Sequence, residues 1–147
     1  MATKKTTSKS KADASTRKGM RLRGRILGKA HVARSMANLD DFNRDFQGML
    51  NKWVWAETWA RPGLPLKTRS MLSIALLAAS GQLHELKFHI RGALENNGCT
   101  PDDIREVLLH TALYAGIPPI VSAFPVAREV IDDLGLMKKR PRKRAMK

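Results

Sequence analysis

The sequence of 147 residues holds one cysteine, Cys99. A lone cysteine excludes an internal disulfide and any C-x-x-C redox or zinc site, and it suits a reducing, cytoplasmic setting. Long apolar runs are missing as well. The longest, "MLSIALLAA" at 71–79, falls far short of the ~20 residues needed to span a bilayer. The first residues lack the apolar h-region of a secretory signal. No stretch alternates as a strand would, and the periodicity is helical throughout. These absences predict a soluble, all-α chain with enough mass for a single compact multi-helix domain.

Acid is scarce in two places only. The net charge of +14 comes from the ends: residues 1–29 carry ten Lys/Arg against one acid, Asp13, and "KKRPRKRAMK" at 138–147 carries seven and none. Between them, ten basic residues face twelve acids. The Lys/Ser/Thr-rich stretch 1–18 has little to bury and is expected to be a disordered basic tail. Residues 19–137 are expected to form the helical domain, and 138–147 a second basic tail. Such tails suit non-specific contact with nucleic acid or another polyanion. Without aromatics or a defined groove they carry no capacity to read sequence.

Within the domain, "GMRLRGRILGK" (19–29) reads as a short helix or arm. Leu39, Phe42, Phe46, Met49, Leu50 and Trp53 recur at helical spacing over 38–60, with Asn38 or Asp40 as a cap. "RPGLP" (61–65) is a loop, because two prolines and a glycine prevent continuation. Residues 67–80 are apolar on nearly every side, the pattern of a helix buried centrally or between subunits. A helix over 82–96 carries Leu83, Leu86, Ile90, Ala93 and Leu94 as its core stripe. After Gly98, Thr100 is the N-cap and Pro101 the first residue of a helix reaching about Ala115. "GIPP" breaks it, and a last helix occupies roughly 119–135.

"HELKFH" at 84–89 nearly spells the zinc-peptidase signature H-E-x-x-H, with one residue too many. His84 and His89 stand about 140° apart around a helix and cannot share a metal. Glu85 and His89 do share a face, at i and i+4, which suits a carboxylate orienting an imidazole for proton transfer. By the same spacing the pair also fits a plain exposed contact, opposite the leucine stripe.

"LGKAHVARS", "WAETWARPGLPLKTRSMLSIALLAA", "ELKFHIRGALENNG" and "TPDDIREVLLHTALYAGIP" resemble, in order and spacing, the 4-carboxymuconolactone decarboxylase family. That family belongs to the all-helical alkylhydroperoxidase-D-like superfamily, and the likeness covers about residues 19 to 132. Its most specific part is W-x3-W-x-RPGL, then TRS, then E-x3-H-x-R-x-A. The resemblance implies the corresponding fold and a homo-oligomer, a trimer or hexamer. It implies a cofactor-free carbon–carbon lyase that turns 4-carboxymuconolactone, or a closely related lactone carboxylate, into β-ketoadipate enol-lactone in protocatechuate catabolism. The substrate carries its own electron sink, so no metal or organic cofactor is required.

Carried over to this sequence, the motif positions make Arg61 and Arg69 the carboxylate clamps, since a guanidinium fork fits a carboxylate bidentately. They make His89 the proton donor. Glu85 would fix the imidazole tautomer and keep its pKa near neutrality, and Trp59 would exclude water. The superfamily's thiol peroxidases carry cysteines at the positions of Gln82 and Glu85, so that chemistry is ruled out here. The sequence departs from the family pattern at Ala115, Pro119, Val121 and Pro125, which leaves room for a related lactone or acid. His110 reads as a core or interface residue, and His31 and His84 as surface. Trp53, Trp55 and Trp59 cannot all face one core stripe. The alternative function is a non-catalytic helical oligomer that binds nucleic acid or another polyanion through its tails.

Overall fold

The computed structural model describes residues 5–137, with side chains from residue 14 onward. Seven α-helices follow one another, and no strand occurs among the described residues. They are α1 (Lys5–Leu27), α2 (Lys29–Ala37), α3 (Arg44–Met49), α4 (Leu66–Ala79), α5 (Leu83–Asn96), α6 (Pro101–Ala115) and α7 (Ile117–Asp133). Helix α3 runs straight on into a π-helix, Leu50–Trp59. Among the described residues, no helix is long and apolar enough to cross a membrane.

Helices α4–α7 form one half of the domain, around a core that includes Ile74, Leu86, Ile90, Ile104, Leu108 and Val130. Their boundaries follow from local chemistry. Gly81 and Gly98 take positive φ of 70° and 78° after α4 and α5, where a Cβ would be strained. Thr100 Oγ1 accepts from the backbone N–H of Asp103, and Asp103 accepts from the backbone N–H of Thr100, a reciprocal cap that satisfies two otherwise orphaned donors. Lys67 reaches Asp103 at 2.8 Å and ties the starts of α4 and α6 together. Helix α7 begins at Ile117, slightly earlier than the prolines suggest. Pro118 and Pro119 lie in its first turn, where no N–H is needed.

The other half is a seam between α1 and the π-helix. Ile26, Leu27, Trp55 and Trp59 form its core, with Leu22, Leu50 and Leu66 packed against them. Gly19 makes the seam possible: a Cβ there would stand 1.7 Å from the carbonyl oxygen of Asn51. Gly92 on α5 does the same for the junction of the halves, since its Cβ would meet the Ile26 carbonyl oxygen at 2.2 Å.

Helix α1 runs unbroken from Lys5 through Leu27 and so crosses the boundary that composition places after residue 18. Helix formation is costly to nucleate but cheap to extend, and the packed part beyond Gly19 supplies the nucleus. No proline or glycine interrupts 5–18. Residues 1–4 and the tail 138–147 lie outside the described residues.

The stripe over 38–60 also turns the other way. Phe42 is 98% exposed, Phe46 60% and Trp53 51%, whereas Asn51, Trp55, Ala56 and Trp59 are buried. The i→i+5 bonding of a π-helix widens each turn, so residues four and five apart share the face that α1 covers. The three tryptophans thus divide, two inward and one outward.

Candidate active site

His89 projects from α5 onto the two buried indoles of the seam. Its ring lies 6.4 Å from that of Trp55, nearly parallel at 14°, and 6.1 Å from that of Trp59. The indoles themselves are 5.2 Å apart. Burial is the main force on the imidazole and lowers its pKa from the ordinary 6.5 to about 4. His31 pushes the same way, and Glu85 opposes them less strongly. Apolar walls remove the solvation of the charged form, so the neutral ring is favoured.

This corrects the role expected of Glu85. Its carboxylate is exposed, makes no hydrogen bond to His89 among the described residues, and does not hold the imidazole near neutrality. His31, expected on the surface, is half-buried on α2. Its ring stands 4.1 Å from that of Phe88, and its pKa is lowered by burial first and by Arg23 next. His84 is exposed and meets Phe88 edge-on at 4.9 Å. The two histidines of "HELKFH" therefore face different neighbours. Among the described residues no group of three or more His, Cys, Asp and Glu could hold a metal ion.

Trp59 also walls a cleft of about 540 Å³ that takes in Arg61, Lys18, Arg21 and Arg25. No carboxylate pairs with any of these four cations among the described residues. Rigid chain surrounds them: Arg61 enters the "RPGLP" loop, and Pro65 and Leu66 lead into α4. Arg69 is absent from the lining. Its Nη2–H donates to the carbonyl oxygen of Arg61 at 2.9 Å, which fixes the loop that presents Arg61. Of the sequence candidates, then, Trp59 neighbours both Arg61, in the cleft, and His89, by ring contact. Arg69 supports from behind, and Glu85 stands apart.

Sequence reasoning missed the three α1 cations and Trp55. Lys18, Arg21 and Arg25 lie at i, i+3 and i+7, one face of a helix. That signal was present, but a domain boundary drawn after residue 18 on composition divides the set. A larger cavity of about 620 Å³ lies between α6 and α7, lined by Phe124, Ile131, Arg105 and Arg128 among others. It contains none of the candidate residues. Ala115, Pro119, Val121 and Pro125 lie at the end of α6 and along α7, and none of them lines the cleft beside Trp59.

These features define an all-helical domain with a tryptophan-walled cleft of cations beside a half-buried imidazole. The chain belongs to the carboxymuconolactone decarboxylase family, whose model matches residues 44–129. It is 47% identical over 120 residues to the 4-carboxymuconolactone decarboxylase of Acinetobacter baylyi, covering 82% of this chain and 89% of that protein. It is 38% identical over 116 residues to the nitrosuccinic acid decarboxylase of Metarhizium robertsii, covering 79% of this chain and 80% of that one. A 15.0 kDa protein of Paracoccus denitrificans, uncharacterised, is 33% identical over 84 residues, or 56% of this chain and 61% of its own.

Proposed function

We propose that the chain decarboxylates 4-carboxymuconolactone to β-ketoadipate enol-lactone without a cofactor, as a cytoplasmic step of protocatechuate catabolism. The observation that carries this reading is the meeting at Trp59 of a cleft of cations, unpaired among the described residues, with the half-buried imidazole of His89. The names of two relatives agree with it chemically. 4-Carboxymuconolactone and nitrosuccinic acid are both succinates whose reacting carbon sits beside an electron sink, an unsaturated lactone in one and a nitro group in the other.

Arg61 holds a carboxylate of the substrate, with Lys18, Arg21 and Arg25 adding positive potential around it. The bond from the ring carbon to the departing carboxylate breaks and its electron pair remains on carbon. The pair delocalises through the double bond onto the lactone carbonyl oxygen. A proton then forms the new C–H bond at the far carbon, and His89 delivers it. One proton is drawn from solvent per CO2 released. Without substrate, His89 is neutral at pH 7. The two carboxylates of the arriving substrate oppose the burial effect and raise its proton affinity, so the acid is made with the substrate in place. Trp55 and Trp59 keep water from the carbanion.

Lactone turnover, followed in the ultraviolet, tests the reading. The full-length protein should consume the lactone. Arg61→Lys should raise KM at least about tenfold, because a point charge cannot reproduce the bidentate fork. A wild-type KM in the Lys variant removes Arg61 from the site.

Assembly into a trimer or hexamer belongs to the same proposal. Leu76 is 70% exposed on α4, Leu113 78% and Tyr114 82% on α6, and Val121 63% on α7. Three helices that pack on one another thus each leave large apolar side chains outward, more than an isolated domain of this size tolerates. Light scattering at micromolar concentration should give three or six chain masses. A monomer under those conditions contradicts the assembly.

A further inference from the structure

We infer that Arg23, together with the indole N–H of Trp55, is a buried receptor for one carboxylate of the substrate, a binding group distinct from the rim cations Arg61, Lys18, Arg21 and Arg25. The inference rests on the decarboxylase reading and deepens it.

Arg23 is only 6% exposed, the most deeply placed cation of the α1–π-helix seam. Its described partners are neutral. Nη1–H donates to Gln47 Oε1 at 2.9 Å and, more weakly, toward Asn51 Oδ1 at 3.5 Å. Its Nε–H is buried and meets no acceptor, and the same is true of Trp55 Nε1–H on the same seam. A guanidinium does not shed its proton in a protein, so burial leaves a full positive charge with amide oxygens alone to solvate it. A buried cation without a counter-charge is costly, and each unmade hydrogen bond adds to that cost. A protein that only needed to fill this space would gain stability from an apolar side chain.

One carboxylate answers all of these at once. It supplies the missing negative charge, and its two oxygens offer acceptors for the orphaned donors. The surroundings suit it: Trp55 stacks on His89, and Arg23 bears on His31 strongly enough to lower its pKa. A carboxylate held there lies beside the imidazole that must gain a proton. The π-helix supports the assignment independently. This conformation is rare and gathers at functional sites, and here it carries both Asn51 and Trp55 on the face toward α1. Together with Arg61 at the rim, Arg23 gives the site two separate carboxylate holders, as a succinate skeleton requires.

Succinate is the probe, titrated against the full-length protein by thermal shift and calorimetry. Wild type should be stabilised by succinate. Arg23→Met should remain assembled, melt no lower than wild type in the absence of ligand, bind succinate at least about tenfold more weakly, and lose about 100-fold in kcat/KM on the lactone. A merely structural arginine predicts the reverse pattern: a lower melting temperature with unchanged succinate affinity and KM, and that outcome overturns the inference. So does a wild-type protein that does not bind succinate. If Arg23→Met fails to fold, Arg23→Lys decides, since it keeps the charge but lacks the Nε–H. A folded Lys variant with wild-type succinate affinity sinks the receptor. The two readings also fail separately. Succinate binding through Arg23 without lactone turnover keeps the receptor and removes the decarboxylase. Full lactone turnover by Arg23→Met does the opposite.

Discussion

His89→Gln should lower turnover of the lactone by about 10²–10⁴-fold, the usual range for removing a general acid, while leaving the assembly intact. Gln retains similar bulk against Trp55 and Trp59 but cannot deliver a proton. A second readout of the same variant comes from stability. In the folded wild type His89 titrates at about 4 instead of 6.5, so between those values the unfolded chain binds the extra proton. The stabilisation from a neutral His89 is therefore complete above about pH 6.5 and is lost progressively as the pH falls to about 4. Gln has no such titration, so the variant's melting temperature should fall less steeply across that window. Wild-type turnover by a correctly assembled His89→Gln would take the residue out of the mechanism.

Gly19→Ala should be the most damaging small substitution in the fold. Its Cβ would sit 1.7 Å from the Asn51 carbonyl oxygen and 2.7 Å from the carbonyl carbon, both backbone atoms that cannot rotate away. In a helix Ala normally gains roughly 1 kcal/mol over Gly; here overpacking reverses that, for a net loss of about 1–3 kcal/mol. Opening the seam also moves Asn51 and Trp55, so turnover should fall with stability. Gly24→Ala on the same helix is the control, because its nearest neighbour, Lys29 Cγ, would be at an ordinary 3.8 Å. That variant should be neutral or slightly more stable in thermal unfolding. Equal stability of the two variants would mean that the close approach of α1 to the π-helix is not needed.

Much of this architecture is legible in the sequence, but unevenly. Helices α4 to α7 can be read because each carries its own signals: Gly81 and Gly98 as stops, Thr100 with Pro101 as a start, and leucines at helical spacing inside. The N-terminal half resists the same treatment. Its π-helix has a wider turn than the 3.6-residue period assumes, and Phe42, Phe46, Met49 and Trp53 of its most conspicuous apolar stripe face away from the core. Composition alone also hides the start of α1, which is rich in Lys, Ser and Thr.

The site divides in a similar way. Trp59, Arg61 and His89 are recognisable by motif and are brought around one indole pair. Arg69 is recognisable too, yet its side chain holds a loop carbonyl, which no motif reveals. Glu85 fails as a pKa-setting partner because spacing at i and i+4 places two residues on a face without burying either. Arg23 is the least legible. In sequence it is one basic residue among ten in the first 29, and only its burial against Gln47 and Asn51 distinguishes it.

The central claim, decarboxylation with proton delivery at a distant carbon, is tested most directly by running the reaction in D2O. With nothing added but protein and 4-carboxymuconolactone, early product should be the enol-lactone bearing one deuterium at the ring carbon next to the lactone carbonyl, with one CO2 released for each. Unchanged lactone, or CO2 release with deuterium at the carbon that lost it, would contradict the account.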